Sequence, residues 1–246
     1  MNIQQNTILL TGGGSGIGLA LAERFHAAGN TVLICGRDAA KLQTAAERLP
    51  GLLTFVCDVA QPAERQRLFE WAIAEAPQLN VLFNNAGIQR EVKLTENTEA
   101  WAVRANEIAI NVEAPMHLTA LFGQHLQQQA AAAIINVSSG LGFVALARVP
   151  VYSATKAAMH SFTQSLRWQL ADTSVQVIEV IPPAVHTNLG GTDHSFGVPL
   201  AEYADDVMQQ LAAGHQEIAY GFSAKASQAS RAELDGLFQA LNSQRG

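Results

Sequence analysis

Short runs of β-branched and apolar residues recur along the chain. Longer stretches separate them, in which apolar positions return every three or four residues. The short runs at residues 7–11, 31–35, 52–57, 80–83, 133–137, 175–181 and 217–220 predict strands. The stretches 17–28, 39–49, 63–76, 101–128, 152–170, 200–213 and 227–241 predict helices, the longest of them broken near 109–111. Leu19, Ala22, Phe25 and His26 illustrate the helical period. The strand runs are apolar throughout rather than alternating with polar residues, which is the pattern of strands covered on both faces. Strands alternating with helices predict an α/β fold, a doubly wound parallel sheet of about seven strands with helices on both sides. A closed barrel needs eight comparable units. The spacing is too even to place a linker, so residues 1–246 form one domain.

Composition narrows the partners. Apolar residues make up 48% of the 246 residues and charged ones 15%, against roughly 25% in an ordinary soluble domain. A chain of this size and composition can bury roughly 70–75% of its unfolded surface. The net charge is 15 minus 21, or −6, and each half of the chain carries −3. No basic tail or patch stands out, which excludes a dedicated phosphate-backbone binder, so no nucleic-acid partner is expected. No apolar stretch approaches the roughly 18 residues needed to cross a bilayer, and the first residues lack the basic start of a signal peptide. A cytoplasmic protein without a membrane partner is the expectation. Cys35 and Cys57 each end a strand run and read as buried free thiols, and no Cys/His spacing points to a metal.

The candidate chemistry begins where the first strand meets Thr11-Gly12-Gly13-Gly14-Ser15-Gly16-Ile17-Gly18 and a helix opens behind it. Strand, glycine turn and helix in that order let backbone N–H groups and the positive helix end meet a diphosphate. Gly12 permits the turn, Gly16 close approach and Gly18 the packing of helix on sheet. After the second strand come Gly36, Arg37 and Asp38. Arg37 can pair with a ribose phosphate, which favours NADP, whereas a carboxylate such as Asp38 is the group that reads a ribose diol. Arg37 can equally be a solvated residue at a helix start. Asp58 follows the third strand, where an acid can accept from an adenine amino group. Asn84-Asn85-Ala86-Gly87 follows the fourth, where Asn side chains can tie loops together and Gly87 lets backbone approach a cofactor.

Ser139 ends the fifth strand, and Tyr152 and Lys156 open the next helix four residues apart, on one face. A phenol with an ordinary pKa near 10 is a poor acid–base group at neutral pH. A lysine ammonium beside it favours the phenolate. Tyr152 can then exchange a proton with a carbonyl or alcohol oxygen that Ser139 holds by hydrogen bond.

These residues together resemble the short-chain dehydrogenase/reductase family of single-domain type, from Thr11 to Thr187. The pattern comprises Thr11-Gly12-x3-Gly16-Ile17-Gly18, Asp58, Asn84-Asn85-Ala86-Gly87, Asn111, Ser139 and Tyr152-x3-Lys156. The resemblance implies a Rossmann fold, and Asn111, Ser139, Tyr152 and Lys156 as the catalytic set, Asn111 holding a water that links Lys156 to solvent. It also implies a dinucleotide held by Gly12, Gly14, Ser15, Gly16, Ile17, Gly18, Arg37, Asp58, Val59, Asn85, Ala86, Gly87, Tyr152, Lys156, Pro182, Val185 and Thr187. A homodimer or homotetramer built on residues 112–128 and 152–170 follows from the same resemblance. The thirteen-residue spacing to Tyr152 selects Ser139 over Ser138.

Two departures from the family pattern carry information. Pro182-Pro183-Ala184-Val185 stands where the family commonly has Pro-Gly, so Pro183 fixes φ in a loop beside cofactor and substrate. Ser15 stands where many NADP-preferring members carry a base. The Pro-Pro-Ala-Val form and the segment from Pro199 to Asp206 are similar to bacterial oxidoreductases termed DltE-like.

The substrate is expected over the nicotinamide, bounded by the mostly apolar 141–151 (Leu141, Phe143, Val144, Leu146 and Arg148) and by a lid within 188–200. A small, moderately apolar carbonyl or secondary alcohol fits such walls. His186 and His194 can reach a substrate or serve as ordinary loop residues. Trp101, Trp168 and Met159 are expected to pack within the fold. Two other functions share these motifs: a dinucleotide-binding sensor or scaffold, and an epimerase or dehydratase working through a keto intermediate.

Overall fold

Alternate residues of the first strand part to opposite sides of the sheet, and both sides are dry. Ile8 and Leu10 join one apolar layer and Leu9 the other, all three fully buried. The computed structural model describes residues 1–96, 99–191 and 195–243. Among these, seven parallel strands form one sheet: β1 Thr7–Thr11, β2 Thr31–Gly36, β3 Leu53–Val56, β4 Val81–Asn84, β5 Ala132–Val137, β6 Val175–Ile181 and β7 Glu217–Ala219. Their order is β3-β2-β1-β4-β5-β6-β7.

The first layer is closed by α1 (Gly16–Ala27), α2 (Ala39–Arg48) and α7 (Leu200–Ala212), which bring Leu21, Phe25, Leu42, Val207 and Leu211 against Ile34, Phe83, Ile135 and Val180. The second is closed by α3 (Pro62–Glu75), α5 (Ala114–Gln127) and α6 (Pro150–Gln169), with Leu68, Leu118, Phe122 and Leu166 on Leu33, Leu82, Ile134 and Val177. Strand order reverses between β1 and β4, and such a reversal opens a crevice at the C-terminal ends of the strands. Register aligns those ends: Thr11 pairs with Cys35, Asn84 with Asn136 and Val137 with Val180.

Two elements depart from the sequence reading. The stretch 101–128 does not break; α4 (Trp101–Ile108) runs through a π turn (Ala109–Glu113) into α5 with helical φ and ψ at the joints. Pro115 has no N–H to return to the carbonyl of Asn111, four residues earlier, so the helix widens there rather than stops. The helix expected over 227–241 starts later, as α9 (Arg231–Asn242), and a short unpredicted helix, α8 (Phe222–Ser227), precedes it. Ser230 starts α9 through a reciprocal pair of bonds with Glu233, a capping box visible in the sequence as Ser-x-x-Glu.

Trp101 and Trp168 do not pack within the fold; they are 65% and 85% exposed, whereas Met159 is buried as expected. Each Trp sits near a helix terminus on the side turned away from the core, while Leu166 and Leu170, flanking Trp168, pack inward. Among the described residues no helix is long and apolar enough to cross a membrane.

Candidate active site

Everything in the site hangs from the C-terminal edge of the sheet. At the end of β1 the chain turns through Gly12, whose φ of +69° only glycine adopts without strain. Gly12 and Gly13 donate to Cys35 O at 2.9 and 3.2 Å, which pins the turn to β2. Helix α1 then starts so close to β1 that a Cβ at Gly18 would lie 2.3 Å from Gly12 O and 2.5 Å from Asn85 Nδ2. The first turn of α1 carries no acidic residue, and the Ser15 side chain does not cap it. Its positive end therefore faces the crevice, with Gly14, Ser15, Gly16, Ile17 and Gly18 forming the wall.

Asn85 ties two loops together. Its Nδ2 donates to Thr11 O at 2.9 Å and to Gly12 O at 3.3 Å, and the Asn85 and Ala86 N–H groups donate to Thr11 Oγ1. On the other side of the turn Asp38 caps α2, accepting from Lys41 N at 3.1 Å. Arg37 is exposed at the cavity edge, and Lys41 borders it too, a cation the sequence reading passed over. Asp58 and Val59 border the same cavity, Asp58 Oδ1 accepting from Ala60 N at 3.1 Å.

The chemical centre lies where β5 and α6 meet. Tyr152 and Lys156 are 6% and 4% exposed, one helical turn apart, with Lys156 Nζ 5.5 Å from the phenol ring centre. Nζ donates to Val137 O at 2.8 Å, which anchors the lysine to the end of β5. Ser139 lies beside the Tyr152 hydroxyl, whose pKa it lowers, and accepts from Leu141 N at 3.2 Å. Ser138 is committed elsewhere, donating to the buried Glu179 carboxylate at 2.5 Å. Asn111 sits in the π turn and clamps Ile88 from both sides, accepting from its N–H at 2.9 Å and donating to its carbonyl at 2.8 Å. A third bond, at 3.1 Å, goes to Thr155, the neighbour of Lys156.

The charges behave differently from the sequence expectation. Burial pushes the Tyr152 phenol up to about 12 and the Glu107 carboxylate adds to the rise, while Ser139 opposes both. Burial lowers Lys156 to about 8, with Glu107 holding it up. The lysine therefore does not by itself lower the phenol. Desolvation acts on both groups at once and favours the neutral pair.

A second set of bonds braces this corner. His160, one turn beyond Lys156, meets Glu179 of β6 at 2.9 Å, and Ser138 meets the same carboxylate from β5. Glu179 thus joins α6, β5 and β6 beneath the site, and its side chain is fully buried.

A cavity of about 2290 Å³ runs from the glycine turn past Tyr152 to the surface. It brings together every predicted cofactor residue outside the catalytic four, and Ser139, Tyr152 and Lys156 as well; Asn111 stands behind the wall at Ile88. Thr187 comes from the far end of the chain to within van der Waals reach of Gly16. The loop after β6 is fixed by Gly140 N donating to Pro182 O, and Val198 returns to it, its N–H donating to Ala184 O and its carbonyl accepting from His186 N. A Cβ at Gly190 would lie 2.7 Å from Gln89 O, so Gly190 packs on the segment after β4. His186 is exposed and borders no part of the cavity; His194 lies outside the described residues.

The substrate wall is only partly as expected. Leu141, Leu146 and Arg148 line the cavity, but Phe143 packs its ring at a tilt against His160, 4.4 Å between centroids, and Val144 is buried. The opposite wall, from Gln89 to Glu96, and Leu241 and Asn242 at the end of α9 were missed. Asn242 spans Ala147 N and Ala145 O, latching the C-terminal helix to the substrate loop. Pairing between segments this distant leaves no local sequence signal. Among the described residues no cluster of His, Cys, Asp or Glu could hold a metal ion.

Comparison with known proteins agrees with this geometry. The family model described as short chain dehydrogenase matches residues 6–195. A Bacillus subtilis (strain 168) protein named uncharacterized oxidoreductase DltE is 47% identical, with 99% of each chain covered. The structure is similar to that of a short-chain dehydrogenase from Sphingobium yanoikuyae in complex with NADPH, with a TM-score of 0.82 and 26% identity over 98% of this chain and 96% of the other. It shares its fold with 3-ketoacyl-(acyl-carrier-protein) reductase from Brucella melitensis complexed with NADH, with a TM-score of 0.81 and 24% identity over 90% and 100%. The glycine turn, the Asn clamp on two loops and the Ser–Tyr–Lys corner thus occur in a chain that belongs to the short chain dehydrogenase family of oxidoreductases.

Proposed function

We propose that the protein interconverts a small carbonyl compound and the corresponding alcohol with NADP, Tyr152 serving as acid and base. The observation that carries this reading is the buried pair Tyr152 and Lys156, on the same cavity wall as Ser139 and continuous with the glycine turn. A dinucleotide fits the residues present. Gly14 and Gly16 line the cavity without side chains, the start of α1 offers N–H donors and no acid, and a Cβ at Gly87 would meet Asn111 and Lys156. In this reading the diphosphate lies on residues 12–18, the adenine beside Asp58 and Val59, and the nicotinamide half between Lys156 and Thr187. Bound there, the nicotinamide supplies or accepts the hydride.

The protein's own part is proton management and placement. Ser139 fixes the substrate oxygen beside the Tyr152 hydroxyl, so that oxygen gains a proton as the carbon gains hydride. Desolvation keeps Tyr152 protonated at neutral pH, ready to donate in the reductive direction. Lys156, tethered to Val137 O, places its cationic head beside the ring and stabilises the phenolate left behind.

The NADP preference rests on division of labour between neighbours. Asp38 is engaged in capping α2, while Arg37 is exposed at the cavity edge with Lys41 nearby. Two cations and a committed carboxylate favour a 2′-phosphate over a free diol. Apolar Leu141, Leu146, Pro150 and Leu241 line the inner cavity, and exposed Glu91, Lys93 and Arg148 rim it. A substrate with an apolar reacting end and a polar remainder suits both.

The test is a steady-state panel of ketones, aldehydes and alcohols with each dinucleotide, followed by cofactor absorbance. Tyr152→Phe should lower turnover by roughly 10²–10⁴-fold while the NADPH dissociation constant stays within about threefold of the wild type. Full turnover in that variant would refute the assignment. Binding of NADPH without turnover of any compound would favour a sensor, and product formed without net cofactor change an epimerase or dehydratase.

A further inference from the structure

Helix α9 has no role in the scheme above, yet its last turn stands at the substrate side of the cavity. It is twelve residues long, a length at which a helix is marginal in water unless something holds it. None of its side chains is buried. Leu234, Leu237 and Leu241 return at helical spacing on one face and are half-buried, and Phe238 beside them is 39% exposed. The first turn closes on itself through the Ser230–Glu233 box.

The last residue is fastened to another segment. Asn242 Oδ1 accepts from Ala147 N at 2.7 Å, and Nδ2 donates to Ala145 O at 3.0 Å and back to Phe238 O at 2.9 Å. Both amide N–H groups and the amide oxygen are therefore engaged. Between the two latched alanines, Leu146 N donates to the Oγ of Ser153, the neighbour of Tyr152, at 3.1 Å. One residue further on, Arg148 O accepts from Val92 N at 3.0 Å. The loop is thus gripped by α6, by the segment after β4 and by α9. Leu146, Ala147, Arg148, Leu241 and Asn242 all border the cavity.

We propose that α9 belongs to the substrate site. Asn242 is a positioning residue that fixes the loop of residues 145–147, and Leu241 is a specificity-determining residue that limits the bulk of the carbonyl substituent the cavity takes. The inference rests on the oxidoreductase reading and narrows its substrate class to carbonyl compounds with a compact apolar arm. Leu241 completes an apolar wall with Leu141, Leu146 and Pro150. Pro150 opens α6, which packs on the sheet, whereas Leu241 rides on a helix that no buried side chain anchors. Room for a larger arm is therefore set by the Asn242 amide.

The test uses ketones from butanone to acetonaphthone with NADPH. It reads the ratio of kcat/KM for the bulkiest over the most compact ketone that the wild type reduces. A single methylene in an apolar pocket shifts kcat/KM by about 10–200-fold, so the ratio should rise at least about tenfold in Leu241→Ala and fall by about as much in Leu241→Trp. It should rise in Asn242→Ala as well. A merely structural role lowers kcat/KM for both ketones alike and leaves the ratio in place. A ratio within about twofold of wild type in both Leu241 variants overturns the specificity assignment.

A second arm needs no turnover. Hydrogen exchange of the protein alone should speed up by about tenfold at residues 145–149 and 231–242 in Asn242→Ala, the effect of losing two surface hydrogen bonds, while β1–β6 keep their protection. Asn242→Asp keeps the acceptor for Ala147 N, loses the donor to Ala145 O, and should fall between. Unchanged exchange at 145–149, or acceleration spread evenly over the sheet, overturns the latch. A wild-type enzyme inactive across the ketones, aldehydes and alcohols refutes the oxidoreductase reading and the role of Leu241 with it, while the exchange arm still decides the latch.

Discussion

Substituting His160 with Ala tests whether the brace under the site holds it together. In the wild type the fully buried Glu179 carboxylate receives His160 at 2.9 Å and Ser138 at 2.5 Å. Removing the imidazole leaves a buried carboxylate with a single hydroxyl donor. Breaking a buried pair from one side costs about 3–5 kcal/mol, because the remaining charge keeps its desolvation penalty. For a chain of this size each kcal/mol is worth roughly 2–4 °C, so the midpoint of thermal unfolding should fall by roughly 6–20 °C at pH 6. The effect depends on pH in a defined direction. The bond to Glu179 raises the His160 pKa above its ordinary value, with Glu217 adding to it and burial and Arg167 opposing. A raised histidine contributes stability that is complete below about pH 6.5 and is lost as pH rises through the folded-state value. The gap between wild type and His160→Ala should therefore be widest near pH 6 and narrower near pH 9. Denaturant unfolding at both values measures it, and Glu179→Gln with the double variant isolates the pair. A loss below about 1 kcal/mol at pH 6, or a gap that does not change with pH, would show that the brace is not an ion pair of consequence.

Two further outcomes follow from the cofactor half of the cavity. Gly18→Ala puts a methyl 2.3 Å from a backbone carbonyl, so the glycine turn must shift; stability should fall by about 1–3 kcal/mol and NADPH affinity at least tenfold. Gly14→Ala meets only side-chain atoms, at 3.5 and 3.6 Å, and should leave the midpoint of unfolding nearly unchanged; equal losses in the two variants would contradict the packing argument. Replacing Arg37 with Ser should weaken NADPH by about 10–100-fold, the worth of a charge-assisted bond, and leave NADH within about twofold. Equal weakening of both cofactors, read by fluorescence titration, would remove Arg37 from 2′-phosphate recognition.

Much of the architecture was legible because a sheet covered on both faces writes itself as apolar runs. Ile8, Leu9 and Leu10 are all buried, so no alternation blurs the strand. The glycine turn was legible for a related reason: backbone that must approach backbone excludes side chains, and Gly12 and Gly18 record that exclusion locally. The end of the chain was misread where Gln228 and Ala229 separate α8 from α9, although the Ser230–Glu233 cap was there to be seen. Trp101 and Trp168 were misplaced because hydrophobicity alone does not say which side of a helix the sheet occupies. The family's motifs also located Ser139, Tyr152 and Lys156, whose spacing along β5 and α6 is short-range.

By itself, then, the sequence determined the parallel α/β sheet, the glycine turn and the residues of the proposed catalytic corner, since each is encoded in residues close together along the chain. Tertiary structure alone decided the protonation of that corner. Tyr152, Lys156 and Glu107 acquire their shifted proton affinities from shared burial, a property of the packed interior that no local pattern contains. It also decided that Asp38 caps α2, that Ser138 serves Glu179, and that Asn242 latches the loop at Ala145 and Ala147. Those choices depend on partners many residues away or on which way a side chain turns, and both are settled only when the layers close.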